Sequence, residues 1–209
     1  MNFNPQSHPL IPILRGIQTH EASAIAQALV DQGYECVEVP LNSPTPFATL
    51  KLLRQAFPDW VVGAGTVLKV AQVEELASLG VDLILAPNCN LRVIERALGL
   101  GMQVMPGIAT PSECFSAIDA GTDLLKAFPG EMISPKVVKA WKAVLPAQVQ
   151  LFPVGGITAQ NMASYIEAGA DGFGFGSALY APGDNPERVS NKARALRQAW
   201  DAAHGRFQA

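Results

Sequence analysis

Short apolar runs rich in Val, Ile and Leu recur along the chain and alternate with longer stretches of helical periodicity. Eight of these runs have the length of a buried strand, and they span residues 10–14, 36–41, 60–64, 83–86, 103–105, 124–128, 150–154 and 172–175. Amphipathic segments lie between them, including residues 22–32, 70–79, 91–98, 112–120, 135–145 and 160–168. This alternation predicts successive strand–helix units of an α/β fold with a parallel sheet.

Most predicted helices end in a glycine that closely precedes the next strand, at Gly33, Gly80, Gly101, Gly121 and Gly169. A glycine at that point is typical of a left-handed C-cap. Eight such units with right-handed crossovers close into a (β/α)8 TIM barrel, and an open doubly wound sheet is the competing arrangement. Because no dinucleotide fingerprint follows the first strand, we expect the barrel. We expect one domain over residues 1–209, ending in a loop after Tyr180 and a terminal helix that carries Trp200.

Composition indicates a compact globular protein, and its charge favours small-molecule chemistry. Of the 209 residues, 49% are hydrophobic and 16% charged, which fits a sheet covered on both faces. The net charge of -3 and the lack of a basic run argue against nucleic acid or anionic membrane as a partner. No leader is evident at the amino terminus, and no apolar stretch approaches the roughly 18 residues that span a bilayer. We therefore expect a cytoplasmic protein.

Several potentially reactive side chains lack the spacing of a functional site. The cysteines are odd in number and far apart, so we expect buried thiols rather than disulfides or metal ligands at Cys36, Cys89 and Cys114. The histidines lack partners at metal spacing, and we expect surface residues at His8, His20 and His204. Packing roles are expected for the tryptophans, Trp60, Trp141 and Trp200.

Unusual polar residues stand where the predicted strands end. Arg15 closes the first apolar run, Glu38 lies inside the second, Thr66 follows the third, and Lys126 interrupts the sixth. The active site of a barrel forms at the carboxyl ends of its strands. These side chains are therefore the first candidates for catalysis and binding.

Lys126 is flanked by Leu124, Leu125, Ala127 and Phe128, so on a central strand it is buried or faces the barrel interior. Burial disfavours the ammonium form of an amine, and a nearby cation such as Arg15 acts in the same direction. The free amine can attack a ketone and form a Schiff base. The alternative is a lysine that snorkels or pairs structurally with Glu38.

Glu38 lies among Val, Pro and Leu, so its carboxylate is either paired or poised as a general acid and base with a raised pKa. A structural ion pair with Arg15 or Lys126 remains open, because periodicity does not distinguish the two.

Glycine-rich turns follow the seventh and eighth strands, at Gly155–Gly156 in PVGGIT and at Gly174, Gly176 and Ser177 in FGFGSALY. Glycines let backbone N–H groups approach an anion, and the loops after strands seven and eight form the recurrent phosphate site of this fold. The turns predict a phosphorylated substrate. Glycines that simply turn the chain are the alternative.

With these residues in place, the chain resembles the bacterial 2-keto-3-deoxy-6-phosphogluconate and phosphogalactonate aldolases of the class I, Schiff-base type. The matching segments run in order along nearly the whole chain: PILRG, VEVPLNSP, VGAGTVL, ILAPN, MPGIATPSE, LLKAFP, PVGGIT and GFGSALY. The resemblance implies a homotrimer, no metal and no cofactor beyond the covalent imine. The implied reaction releases pyruvate and glyceraldehyde 3-phosphate.

Carried over by position, the resemblance makes Lys126 the imine-forming nucleophile and Glu38 the general acid and base. Arg15 matches a cation on the carboxylate side of the substrate. The other positions match residues that contact the pyruvyl part, pack beside the imine or bind the phosphate; they are Thr66, Pro87, Phe128, Gly155, Gly156, Gly176 and Ser177.

The preferred epimer depends on fewer residues. The gluconate-type members that this chain resembles usually carry LRT after the glutamate, where this chain has Leu41, Asn42 and Ser43. They carry a threonine before the glycine pair, where this chain has Val154. These departures resemble the galactonate branch, and they add Asn42 and Val154 to the expected binding residues. The substrates differ only at C4, so small contacts decide between them.

Two other functions fit a phosphate-binding barrel. One is an isomerase or a transferase similar to thiamine-phosphate synthase, but neither chemistry needs a buried nucleophilic lysine. The other is a sugar-phosphate sensor without activity, which would be expected to have a degenerate site. The presence of Lys126, Glu38 and both glycine-rich turns favours the aldolase.

Overall fold

The computed structural model describes residues 3–205, so the ends of the expected domain, residues 1–2 and 206–209, lie outside the described part. Its strands are β1 Leu10–Pro12, β2 Cys36–Pro40, β3 Val61–Gly65, β4 Leu83–Leu85, β5 Gln103–Met105, β6 Gly107–Ile108, β7 Leu124–Ala127, β8 Gln150–Pro153 and β9 Phe173–Phe175. Its helices are α1 Thr19–Val30, α2 Pro46–Ala56, α3 Val70–Ser78, α4 Leu91–Gly99, α5 Pro111–Asp119, α6 Pro135–Lys142, α7 Met162–Glu167 and α8 Pro186–His204, with a 3-10 turn at Gly130–Met132.

The strands form the TIM barrel that the sequence predicts. All ladders are parallel: β2, β3, β4 and β5 pair in order, as do β6, β7 and β8, and β1 pairs with β9. Bridges from Ile13 to Glu38 and from Val154 to Gly174 join β1 to β2 and β8 to β9. Strands β5 and β6 are consecutive parts of one strand on either side of Pro106, so the pairing returns to its starting strand.

Two details differ from the predicted elements. The fifth strand continues beyond residue 105 as β6, because the chain stays extended after Pro106 and pairs with β7. Helix α2 was not among the predicted helices, since the residues that precede it, NSPT, and its first residue, Pro46, have the composition of a loop. Pro46 is tolerated there because the first helical position needs no N–H donor. The five predicted C-cap glycines all have positive φ, from 73° to 103°.

Side-chain alternation divides the core into two layers and positions the site. A buried cluster fills the lower barrel, and it consists of Phe3, Ile11, Cys36, Val61, Leu83, Leu85, Met105, Leu124 and Phe152. A larger cluster lies between the strands and the helices. Because side chains alternate along a strand, residues two positions after Cys36 and Leu124 also face the interior. Those residues are Glu38 and Lys126.

The remaining expectations for single residues are confirmed in part. Trp60, Trp141 and Trp200 are buried packing residues, as are the thiols of Cys36 and Cys114. One expectation was wrong: Cys89 is only half-buried, because it lies in the loop before α4. His20 and His204 are exposed as expected, and His8, whose ring stacks on Phe3, is partly exposed. No helix within residues 3–205 has both the length and the apolar character needed to cross a membrane.

Candidate active site

Two ionisable side chains lie buried in the upper barrel. Glu38 is 1% exposed and Lys126 is 4% exposed. The side-chain nitrogen Nζ of Lys126 lies 5.1 Å from the centre of the ring of Phe128, the residue that directly follows β7. The buried lysine therefore has an aromatic wall beside it.

The Glu38 carboxyl has a raised pKa and one oxygen without a hydrogen-bond partner among the described residues. Burial raises its pKa above the usual range for a glutamate, and the nearby charges of Lys126 and Arg15 offset only part of that rise. Its Oε2 is buried with no hydrogen-bond partner among the described residues. A purely structural ion pair would satisfy both carboxylate oxygens, because unpaired buried acceptors are costly. The arrangement favours an acid and base group over a structural one.

Gly65 makes room for this carboxyl. A Cβ atom at position 65 would lie 1.7 Å from Oε1 of Glu38 and 2.5 Å from its Cδ. Only a glycine at the end of β3 therefore permits the observed position of the glutamate.

A cavity of about 330 Å³ opens above Lys126 at the carboxyl ends of β1, β7, β8 and β9. It brings together nine of the residues singled out from the sequence: Arg15, Lys126, Phe128, Val154, Gly155, Gly156, Gly174, Gly176 and Ser177. Gly155 and Gly156 have φ values of 106° and 67°, a conformation that favours glycine, so the PVGGIT turn depends on both. A Cβ at Gly176 would meet no atom within 4 Å, so the backbone there faces open space.

The other candidates lie outside the lining of this cavity. Asn42 reaches the site through Arg15, because its Oδ1 accepts a hydrogen bond of 3.3 Å from Nη1 of Arg15. Thr66 directly follows β3 and has a φ of 57°, a strained conformation for a β-branched residue. Pro87 follows β4, and a Cβ at Gly107 would lie 2.4 Å from the Pro87 carbonyl oxygen. Glu38 also lies outside the lining, deeper in the barrel.

The loop that carries Arg15 is fixed from two sides. The backbone N–H of Gly16 donates to the Ser43 hydroxyl at 2.9 Å, which ties the loop to the segment after β2. On the other side, a Cβ at Gly16 would lie 2.8 Å from Cγ of Pro182, in the segment after β9. The guanidinium therefore projects from a well-supported backbone.

Five residues of the cavity wall were not predicted from the sequence: Ile13, Glu131, Ile157, Thr158 and Ala178. Thr158 closely follows the glycine pair, and that proximity could have indicated it. Glu131 carries no such signal, because nothing in the sequence of the 3-10 turn after β7 indicates which way its side chain projects. Within residues 3–205, no group of three or more His, Cys, Asp or Glu side chains is arranged to hold a metal ion.

Comparison with known proteins agrees with this geometry. The family model for KDPG and KHG aldolases matches residues 4–188. The chain is 46% identical to the 2-dehydro-3-deoxy-6-phosphogalactonate aldolase of Escherichia coli (strain K12), over 93% of this chain and 96% of that protein.

Two solved structures share the fold. The native KDPGal structure superposes with a TM-score of 0.94 at 44% identity, covering 98% of this chain and all of that one, 100%. The KDPG aldolase of Legionella pneumophila, with pyruvate captured at low pH as a covalent carbinolamine intermediate, gives a TM-score of 0.84 at 25% identity, covering 93% and 98% of the two chains. The chain thus belongs to the KDPG and KHG aldolase family, whose members are carbon–carbon lyases of the Schiff-base type.

Proposed function

We propose that this chain cleaves 2-dehydro-3-deoxy-6-phospho-D-galactonate to pyruvate and D-glyceraldehyde 3-phosphate through an imine on Lys126. One observation carries the proposal: a buried lysine and a buried, unsatisfied carboxyl share the interior of the barrel beneath a cavity with a glycine-rich wall. The lysine chemistry is supported further by the relative from Legionella pneumophila, in which pyruvate is captured as a carbinolamine.

The first half of the reaction forms the imine. The lone pair of the Lys126 amine attacks the C2 ketone, giving a carbinolamine. Because burial raises the pKa of Glu38, its carboxyl can carry a proton and give it to the departing C2 hydroxyl, which leaves as water. The product is a protonated imine that withdraws electrons from C3.

The second half breaks the carbon chain. The Glu38 carboxylate, now unprotonated, accepts the proton of the C4 hydroxyl as the C3–C4 bond breaks. The bonding electrons move to the imine and form an enamine, and C4 leaves as the aldehyde of the triose phosphate. Protonation at C3 and attack by water then release pyruvate and restore the free lysine. One lysine and one carboxyl therefore suffice, and no step draws on a metal.

Binding is divided between the two ends of the substrate. We assign the substrate carboxylate to Arg15, whose guanidinium is held by Asn42, and the phosphate to the turns at Gly155–Gly156 and Gly176–Ser177. Phe128, Thr66 and Pro87 are assigned to the walls around the pyruvyl part.

The galactonate epimer is favoured by two residues and by similarity. Val154 lines the cavity, and Asn42 is bonded to Arg15, at the positions where gluconate-type members differ. Identity is also higher to the galactonate aldolase of Escherichia coli, 46%, than to the KDPG aldolase of Legionella pneumophila, 25%.

The test compares kcat/KM for the two epimeric phosphorylated substrates, with the Lys126→Met variant as the inactive control. We expect turnover of both, with the galactonate epimer preferred by about tenfold or more, the size that one or two small contacts provide. A preference for the gluconate epimer would reassign the substrate. Cleavage retained in Lys126→Met would overturn the lysine mechanism, whereas absence of cleavage of either epimer by the wild type would favour an isomerase or transferase.

The assembly and location implied by the resemblance stay predictions. A homotrimer is tested by sedimentation equilibrium of the purified chain, and cytoplasmic location by fractionation of the cells that produce it. A single domain over residues 1–209 is tested by whether thermal unfolding is a single cooperative transition.

A further inference from the structure

The cavity wall contains a carboxylate to which the mechanism gives no role. Arg15, Lys126 and Glu131 are the ionisable side chains that line it. Arg15 is a cation suited to an anionic substrate, and Lys126 is the proposed nucleophile. Glu131 has the opposite charge and lies in the 3-10 turn that follows β7.

Backbone contacts fix this turn against the PVGGIT segment. The N–H of Gly130 donates to the Val154 carbonyl at 2.8 Å, and a Cβ at Gly130 would lie 2.3 Å from the Gly155 carbonyl oxygen. The two segments therefore meet with no space for a side chain between them. The residue that follows, Glu131, must project near the glycine pair.

The Glu131 side chain lies directly on that pair. Its Oε2 is 2.5 Å from the point where a Cβ of Gly155 would stand, and its Cγ is 2.9 Å from the corresponding point of Gly156. The carboxylate thus reaches the same backbone that we assign to the substrate phosphate.

We propose that the Glu131 carboxylate weakens binding of a phosphate dianion at this subsite and so hastens release of the triose phosphate. The inference rests on the proposed function, since it takes the glycine turns as the phosphate subsite. A carboxylate a few ångströms from a phosphate repels it, and the repulsion is moderate because Glu131 is exposed to solvent and screening salt.

The effect falls mainly on the product. The whole substrate is held at both ends and by its covalent bond to Lys126. After C3–C4 cleavage the triose phosphate keeps only its phosphate as a strong anchor. A carboxylate beside that anchor shortens the residence of the product while the imine end of the site is unaffected.

The test measures inorganic phosphate binding by isothermal titration calorimetry in the full chain, at about 20 mM and about 200 mM ionic strength. Glu131→Gln removes the charge with little change of shape. Glu95→Gln is the matched control, because Glu95 is exposed on α4, outside the cavity lining. Borohydride trapping of pyruvate on the wild-type lysine is run in parallel and reports on the imine alone.

We expect Glu131→Gln to bind phosphate about threefold to tenfold more tightly at low ionic strength, with the gain shrinking at high ionic strength. Glu95→Gln should match the wild type, and KM for the phosphorylated substrate should fall in Glu131→Gln. Unchanged or weaker phosphate binding in Glu131→Gln overturns the inference, as does a gain that salt does not reduce. If neither the wild type nor either variant binds phosphate, the assignment of the glycine turns as the phosphate subsite is wrong. A failure of pyruvate trapping with the phosphate effect intact would instead refute the lysine mechanism alone.

Discussion

Replacing Gly65 with alanine displaces the Glu38 carboxyl while leaving residue 38 a glutamate. The new Cβ would lie 1.7 Å from Oε1, whereas ordinary contacts begin at 3.4 Å, so this oxygen has to move by 3.4 − 1.7, about 1.7 Å. Because Glu38 is 1% exposed, it has little free space to enter. Forcing an added methyl into a packed interior costs about 1–3 kcal/mol of unfolding free energy. A displacement of this size at a reacting group lowers kcat by about a hundredfold.

The assay combines steady-state cleavage kinetics with urea unfolding in four variants: Gly65→Ala, Glu38→Ala, the two changes combined, and Gly99→Ala. In a Glu38→Ala background the collision partners are gone, so adding Gly65→Ala should cost less than about 0.5 kcal/mol. Gly99→Ala is the control, because a Cβ at the end of α4 meets nothing within 4 Å and should be neutral or slightly stabilising. Wild-type kcat and stability in Gly65→Ala would refute the placement of the glutamate.

Three further predictions follow from single groups. Lys126→Met should lose cleavage activity by at least about a thousandfold while its circular dichroism spectrum stays native; residual turnover above that level would contradict its role as nucleophile. Because the pKa of Glu38 is raised on folding, its contribution to the free energy of unfolding declines as pH rises from about 4. Glu38→Gln should therefore be more stable than the wild type at pH 8 and equally stable near pH 4, as measured by urea unfolding. A gain independent of pH would disprove that account. Arg54→Ala should lower the free energy of unfolding by about 2–4 kcal/mol in the same assay, because Arg54 donates to Asp82 at 2.6 Å and to three backbone carbonyls around the start of β3. A loss under about 1 kcal/mol would show that water replaces these hydrogen bonds.

Alternation along the strands explains why the centre of the site could be predicted. Glu38 and Lys126 each lie two residues after an apolar interior position, so once a barrel is inferred their convergence follows from the pleat. The glycine-rich turns were predictable for a similar reason, because their positions after β8 and β9 are set by the order of the elements.

Contacts between distant loops could not be predicted from the sequence in the same way. The hydrogen bond from Arg15 to Asn42 depends on how two loops fold above the barrel, and no periodic pattern sets it. Glu131 enters the cavity only because the turn at Gly130 packs on the Gly155 carbonyl. The break at Pro106 was missed because proline is rarely expected within a continuing strand.

The most direct test of the central claim is borohydride reduction of the protein in the presence of pyruvate, followed by peptide mass spectrometry. The imine mechanism predicts a reduced pyruvyl adduct on Lys126 and none in the Lys126→Met variant. The absence of an adduct, or its appearance on a different lysine, would contradict the mechanism.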